Sequence, residues 1–189
     1  MPISQRIVVA YRELAGDRGF HSVTMDQVAS RAGLSKRTVY RYFRSKEAII
    51  EAIIDAFMAE VAEESERLLA AEQDPAGFMA ALIKYLFRQG RFFATPQGLK
   101  DLQQYYPHLW KKIETFRASR VQRILEVLII RDNIGVWRGT DPRILTTAIL
   151  AAIQAVVNPD FILKNGLTFE DTVNQMSMLL TQLVHKSAV

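Results

Sequence analysis

The chain has 189 residues, 49% of them hydrophobic, with 24 Lys or Arg against 20 Asp or Glu and no cysteine. That length and apolar share suffice for a sizeable core in one or two domains, and the missing cysteines exclude a disulfide framework and any thiolate metal site. The charged start, MPISQRIVVAYREL, is read as neither a secretory signal nor a membrane span, and no long uncharged run follows, so a cytoplasmic protein without a membrane partner is expected. The net charge of +4 hides an asymmetry: residues 1–50 hold nine cations and four carboxylates, and residues 51–189 hold fifteen and sixteen. The basic excess therefore belongs to the N-terminal quarter, as an electrostatic footprint on nucleic acid requires.

Ile3, Ile7, Val8, Tyr11, Leu14 and Ala15 recur with helical period and predict a first helix ending near Gly19, with Phe20 folded back on its last turn. Residues 24–46, TMDQVASRAGLSKRTVYRYFRSK, then read as two short helices around a tight turn. Thr24 with Gln27 three residues on has the spacing of a capping box, and Met25, Val28, Ala29 and Ala32 make one apolar face. Gly33 stops this helix, Leu34 plugs the angle and Ser35 caps the next helix. There Val39 and Phe43 face inward, leaving Lys36, Arg37, Tyr40, Arg41 and Arg44 outside. Ser45 caps a third helix with Lys46 in its first turn. A short cationic and aromatic helix braced across a glycine turn is a helix-turn-helix, because the major groove admits one helix and only its outward side chains reach bases and phosphates.

The run Gly33-Leu34-Ser35-Lys36-Arg37-Thr38-Val39-Tyr40-Arg41-Tyr42-Phe43-Arg44-Ser45-Lys46 resembles the DNA-binding signature of the TetR family of bacterial transcriptional regulators. The likeness covers about the first quarter of the chain; the remainder resembles that family only in length and helical pattern. It implies that Thr24 and Lys46 meet phosphate at helix N-termini, that Lys36 and Arg37 read bases and nearby phosphates, and that Tyr40 and Tyr42 grip the backbone. Ser35, Thr38 and Arg41 complete the implied DNA-binding set, although Arg41, like Arg44, has the alternative of only adding to the field. For all these charges the plainer reading is a solvated helix face.

Further along, a helix from Ser45 to about residue 72 carries Ile49, Ile50, Ile53, Ile54, Phe57 and Val61 on a broad apolar face. Asp74-Pro75 marks a boundary before a helix with Phe78, Met79, Leu82, Ile83, Leu86 and Phe87. Thr95-Pro96-Gln97-Gly98 breaks the chain, a short helix holds Leu99 to Tyr105, and Pro107 opens a long one fraying near Asn133–Gly135. Asp141-Pro142 caps another helix, Asn158-Pro159 interrupts it, and Thr168 with Asp171 precedes the last. No period-two run is bounded by turn signals, so the fold is read as all-α: a three-helix helix-turn-helix domain over residues 1–47 and a larger C-terminal helical bundle over 48–189.

The resemblance implies an effector pocket in that bundle and a four-helix interface between two copies, formed by helices of about 142–157 and 169–186. The small residues Ala148, Ala151, Ala152 and Ala155 suit close helix approach. Candidate pocket residues are Phe57, Phe87, Gln89, Gln103, Tyr105, Trp110, Phe116, Arg117 and Gln154, suited to a small apolar or aromatic effector. At the same spacing the aromatic groups equally serve as core, and the polar ones as surface. His21, His108 and His185 have no metal-ligand spacing; His21 is either a phosphate contact or an ordinary turn residue. Motifs for zinc hydrolysis, phosphate loops or nucleophile elbows are missing, so neither an enzyme nor a cofactor is expected. The expected function is a sequence-specific DNA-binding regulator, a ligand-responsive repressor acting as a homodimer on a pseudo-palindromic operator. The alternative is a helix-turn-helix regulator without a small-molecule effector, controlled by or recruiting a protein partner.

Overall fold

The computed structural model describes residues 1–71, 75–90, 95–130 and 140–185. Among these the protein is all-α, with ten helices and no strand. They are α1 (Ile3–Arg18), α2 (Met25–Ala32), α3 (Lys36–Tyr42), α4 (Lys46–Ala71) and α5 (Pro75–Gly90), followed by α6 (Pro96–Tyr105), α7 (Pro107–Ile130), α8 (Pro142–Val156), α9 (Pro159–Lys164) and α10 (Phe169–His185). The chain forms two compact units, Met1–Glu60 with Gln89–Ile113, and Val61–Arg88 with Glu114–Val189. Chain order does not set these units: the first takes in α6 besides the helix-turn-helix segment.

The first unit is built on α1 to α3. Ile7 and Tyr11 of α1, Phe20 and Val23 of the following turn, Val28 of α2 and Val39 of α3 are all at most 1% exposed. The Tyr11 hydroxyl donates to the Phe20 carbonyl at 2.8 Å, and the two rings stack with centroids 6.5 Å apart. Burial pushes the Tyr11 pKa well above the usual phenol range, with smaller contributions from Tyr106 and Asp101. Gly19 has φ 79° and ψ 168°, so this turn uses glycine in an extended, positive-φ form rather than the left-handed cap expected from sequence.

Local capping follows the sequence closely. Thr24 and Gln27 form a full capping box: the Gln27 N–H donates to Thr24 Oγ1 at 3.3 Å and the Thr24 N–H to Gln27 Oε1 at 2.9 Å. At the other end Gly33 is left-handed, its N–H reaching Ser30, while the Leu34 N–H reaches the Ala29 carbonyl at 2.9 Å. These paired bonds are a Schellman ending with Leu34 as its apolar residue. Arg6 of α1 supplies what the local chain cannot, donating to the Ala32 carbonyl at 2.6 Å. Thr24→Ala is expected to cost about 0.5–2 kcal/mol of stability, read as a lower urea midpoint with an unchanged slope.

In the second unit Leu68 and Leu69 of α4, Phe78 and Leu82 of α5 and Ile124 of α7 form one buried cluster, flanked by Met79, Leu86 and Val127. Each such side chain contributes about 1.5–3 kcal/mol by leaving water. Arg120 and Arg123 of α7 share Glu66 of α4 at 3.1 and 3.4 Å. The Asn158-Pro159 pair ends α8 as expected, but it also starts α9: Asn158 Oδ1 accepts the Phe161 N–H at 3.0 Å and Pro159 fills the first turn. Thr168 Oγ1 accepts the Asp171 N–H at 2.9 Å at the start of α10. The expected fraying at Asn133–Gly135 lies outside the described residues.

Candidate nucleic-acid interface

The short helix α3 owes its pose to its two ends. Ser35 Oγ accepts the Thr38 N–H at 3.0 Å and pairs with the Thr38 hydroxyl at 2.8 Å, so both hydroxyls are engaged at the cap. Phe43, half-buried, leaves the helix in extended backbone, and Ser45 Oγ accepts the Ala48 N–H at 3.1 Å to begin the next helix. Between these ends only Val39 is buried. Lys36, Arg37, Tyr40, Arg41 and Arg44 are exposed, as the helical period indicated, and so is Tyr42.

Their partners distinguish them. Lys36 Nζ lies 2.9 Å from Asp26 of α2, and the hydrogen bond to that carboxylate raises the ammonium pKa above its usual value. The pair is exposed and screened by solvent, so it ties Lys36 only weakly against exchange of Asp26 for a phosphate. Arg41 stacks its guanidinium 5.4 Å from the centre of the Tyr42 ring. Among the described residues no carboxylate pairs with Arg37 or Arg44. Thr24 is exposed, with its hydroxyl oxygen in the capping box. Lys46 is half-buried, and its ammonium donates to the His21 carbonyl at 2.6 Å. The nine expected DNA-binding residues thus lie on α3, its cap, and the starts of α2 and α4.

The expected effector residues divide between the units. Phe57, Gln89, Gln103, Tyr105 and Trp110 belong to the first, and Phe87, Phe116, Arg117 and Gln154 to the second. Tyr105 is 45% exposed and stacks on His21. Phe87 meets Phe169 edge to face at 6.4 Å, Gln154 is exposed, and Phe57, Gln89, Gln103, Trp110 and Phe116 are half-buried. Arg117 donates to the Val157 carbonyl at 2.6 Å, closing the end of α8, and to Glu114 at 2.8 Å. Burial lowers its pKa while Glu114 opposes that shift.

Sequence reasoning missed one arrangement, the joint around His21 on the first unit. No local spacing announces it, because Asp101 and His21 are 80 residues apart. Nearby, Tyr106 is buried with a hydroxyl that has no hydrogen-bond partner among the described residues. Burial, helped by the charges of Asp101 and Glu47, pushes its pKa up to about 12.

Comparison with known proteins bears on the same segment. Residues 7–53 match the family model for bacterial regulatory proteins of the tetR family. That match makes residues 7–53 a helix-turn-helix segment of the tetR type. Over 88% of this chain and 87% of the relative, it is 26% identical to YvaF of Bacillus subtilis strain 168, named an HTH-type transcriptional regulator. Against the HTH-type transcriptional regulator UidR of Escherichia coli K12 the identity is 38%, over 39% of this chain and 34% of that one. In fold it is similar to a transcriptional regulator from Cytophaga hutchinsonii, with a TM-score of 0.70 at 16% identity, covering 97% of this chain and 95% of the other. This protein is therefore a transcriptional regulator with a helix-turn-helix DNA-binding domain. None of its described helices is long and apolar enough to cross a membrane.

Proposed function

We propose that this chain is a cytoplasmic, dimeric, ligand-responsive repressor of the TetR family that reads a pseudo-palindromic operator through α3 of each copy. The observation that carries the reading is the exposed face of α3, where Lys36, Arg37, Tyr40, Arg41 and Tyr42 point outward from a helix fixed at both ends. Lys and Arg release counterions by neutralising phosphate, whereas Arg37, without a carboxylate partner among the described residues, is available to a base edge. Selection of bound duplexes from a random pool by the purified protein tests this. Two inverted half-sites with centres about 34–36 Å apart, or a multiple of that, are expected; an unsymmetrical single site contradicts dimeric reading.

Dimerisation is supported by apolar side chains that lack cover in the single chain. Ile144 of α8 is 66% exposed, and Met178 and Leu179 of α10 are 61% and 52% exposed. α8 packs on α10, and the small Ala148, Ala151 and Ala155 of α8 are exposed. Two such helices from each copy make a four-helix interface of the kind that removes large apolar groups from water.

Effector control is supported by one orphaned group in the second unit. Glu114 Oε1 is buried with no hydrogen-bond partner among the described residues, and such groups ordinarily find one. A small apolar or aromatic molecule carrying one hydrogen-bond donor suits it. Such a molecule acts only by favouring one conformation over another, a coupling of about 1–3 kcal/mol. Thermal-shift screening with and without operator tests this; a protein that no small molecule stabilises favours control by a protein partner.

Lys46→Ala is expected to weaken operator binding across sequences and to reduce the salt slope of log K by about one. An unchanged slope assigns Lys46 to its His21 carbonyl contact instead.

A further inference from the structure

Asp101 of α6 is only 1% exposed, yet it carries a carboxylate into the first unit. A buried carboxylate persists where donors meet its oxygens. Here Oδ2 accepts the backbone N–H of His21 at 2.8 Å and Oδ1 accepts Gln97 Nε2 at 2.6 Å. The approach is close enough to dictate glycine: a Cβ on Gly19 would lie 2.5 Å from Asp101 Oδ2 and 2.7 Å from Gln97 Cγ. Next to this contact, Tyr105 lays its ring on His21, with centroids 3.7 Å apart and planes 15° from parallel. The carbonyl of the same His21 receives Lys46 Nζ from the start of α4 at 2.6 Å. His21 is therefore fixed at its N–H, its ring and its carbonyl, three residues before the cap of α2.

We propose that Asp101 is a positioning residue for DNA recognition. From α6 it fixes the turn between α1 and α2, and through that turn the angle at which α2 and α3 meet the groove. The proposal rests on the DNA-reading role of α3 and assigns part of that role to a residue far outside the helix-turn-helix segment. Contacts to base edges demand a pose held within about 0.5 Å and 10–20°. Attraction to phosphates is far less demanding of angle. A loosened turn therefore weakens sequence-selected DNA and spares non-specific DNA.

The test uses the full chain, a duplex selected by the wild-type protein, and an unrelated duplex at low salt, with protein concentrations corrected for the folded fraction. D101A is expected to lose at least about tenfold affinity for the selected duplex and no more than about threefold for the unrelated one. D101N is expected to stay within about threefold of wild type on both, because its amide oxygen still accepts from His21 and the Gln97 amide can rotate to accept in turn. Should D101A not fold, Tyr105→Ala decides, since that ring is exposed; a loss of about threefold or more on the selected duplex alone is expected. Selected-duplex affinity within twofold of wild type for the folded variant overturns the proposal. So does an equal change on both duplexes, the mark of general loosening or of a lost charge, or D101N matching D101A. A wild-type protein that retains no duplex overturns the DNA-reading role itself and the proposal with it.

Discussion

Replacing Phe20 with alanine is expected to cost about 3–5 kcal/mol of folding free energy. The residue lies in a turn, where such losses are usually small, but its side chain is fully buried. It stacks on Tyr11 of α1, and its own carbonyl takes the Tyr11 hydroxyl. Removing the ring leaves a cavity beside a phenol held by the same turn, so packing and a buried hydrogen bond weaken together. Set against a typical total of about 5–15 kcal/mol, the variant is expected to unfold at markedly lower urea and to bind operator only in its remaining folded fraction. A midpoint shift under about 1 kcal/mol would show that the turn closes over the cavity. Phe20→Leu, which keeps most of the volume, is expected to lose much less.

For Arg37→Ala the expected loss is about 1–3 kcal/mol of operator affinity, roughly five- to 150-fold, with relaxed preference at one base position of each half-site. Arg37 is exposed on α3 and has no carboxylate partner among the described residues, so the unbound protein gives up no ion pair when the guanidinium turns to a base. Lys36 differs, since it is paired with Asp26 and would have to give up that contact to reach DNA. Lys36→Ala is accordingly expected to cost less than Arg37→Ala. Binding measured on operator duplexes changed one base pair at a time distinguishes base reading from phosphate contact: uniform weakening across the set identifies a phosphate contact.

The parts of this molecule that the sequence announces are those within one helical turn. Thr24 with Gln27, Ser35 with Thr38, and Thr168 with Asp171 close bonds across three residues, and their residue types are legible as caps. Gly33 is legible because a left-handed helix ending favours glycine. The outer face of α3 follows from period alone once Val39 and Phe43 are placed inward. The ties that fix this frame in space have no such signal. Arg6 reaches Ala32 across 26 residues, Lys46 reaches His21 across 25, and Asp101 reaches His21 across 80. Helical period places Asp101 on α6 but says nothing of what faces it. Effector residues are hardest to read, because apolar spacing fits a ligand wall and a packed core alike. Tyr105 and Arg117, chosen as ligand contacts, are engaged with His21 and with the end of α8.

The most direct test is a salt titration of the wild-type protein with its selected duplex. If α3 and its flanking helix starts meet DNA in two copies, log affinity falls linearly with log salt, with a slope of about −0.9 for each phosphate neutralised, and several phosphates are expected. A slope near zero, or no retention of duplex even at low salt, contradicts the reading of α3 as the surface that enters the groove.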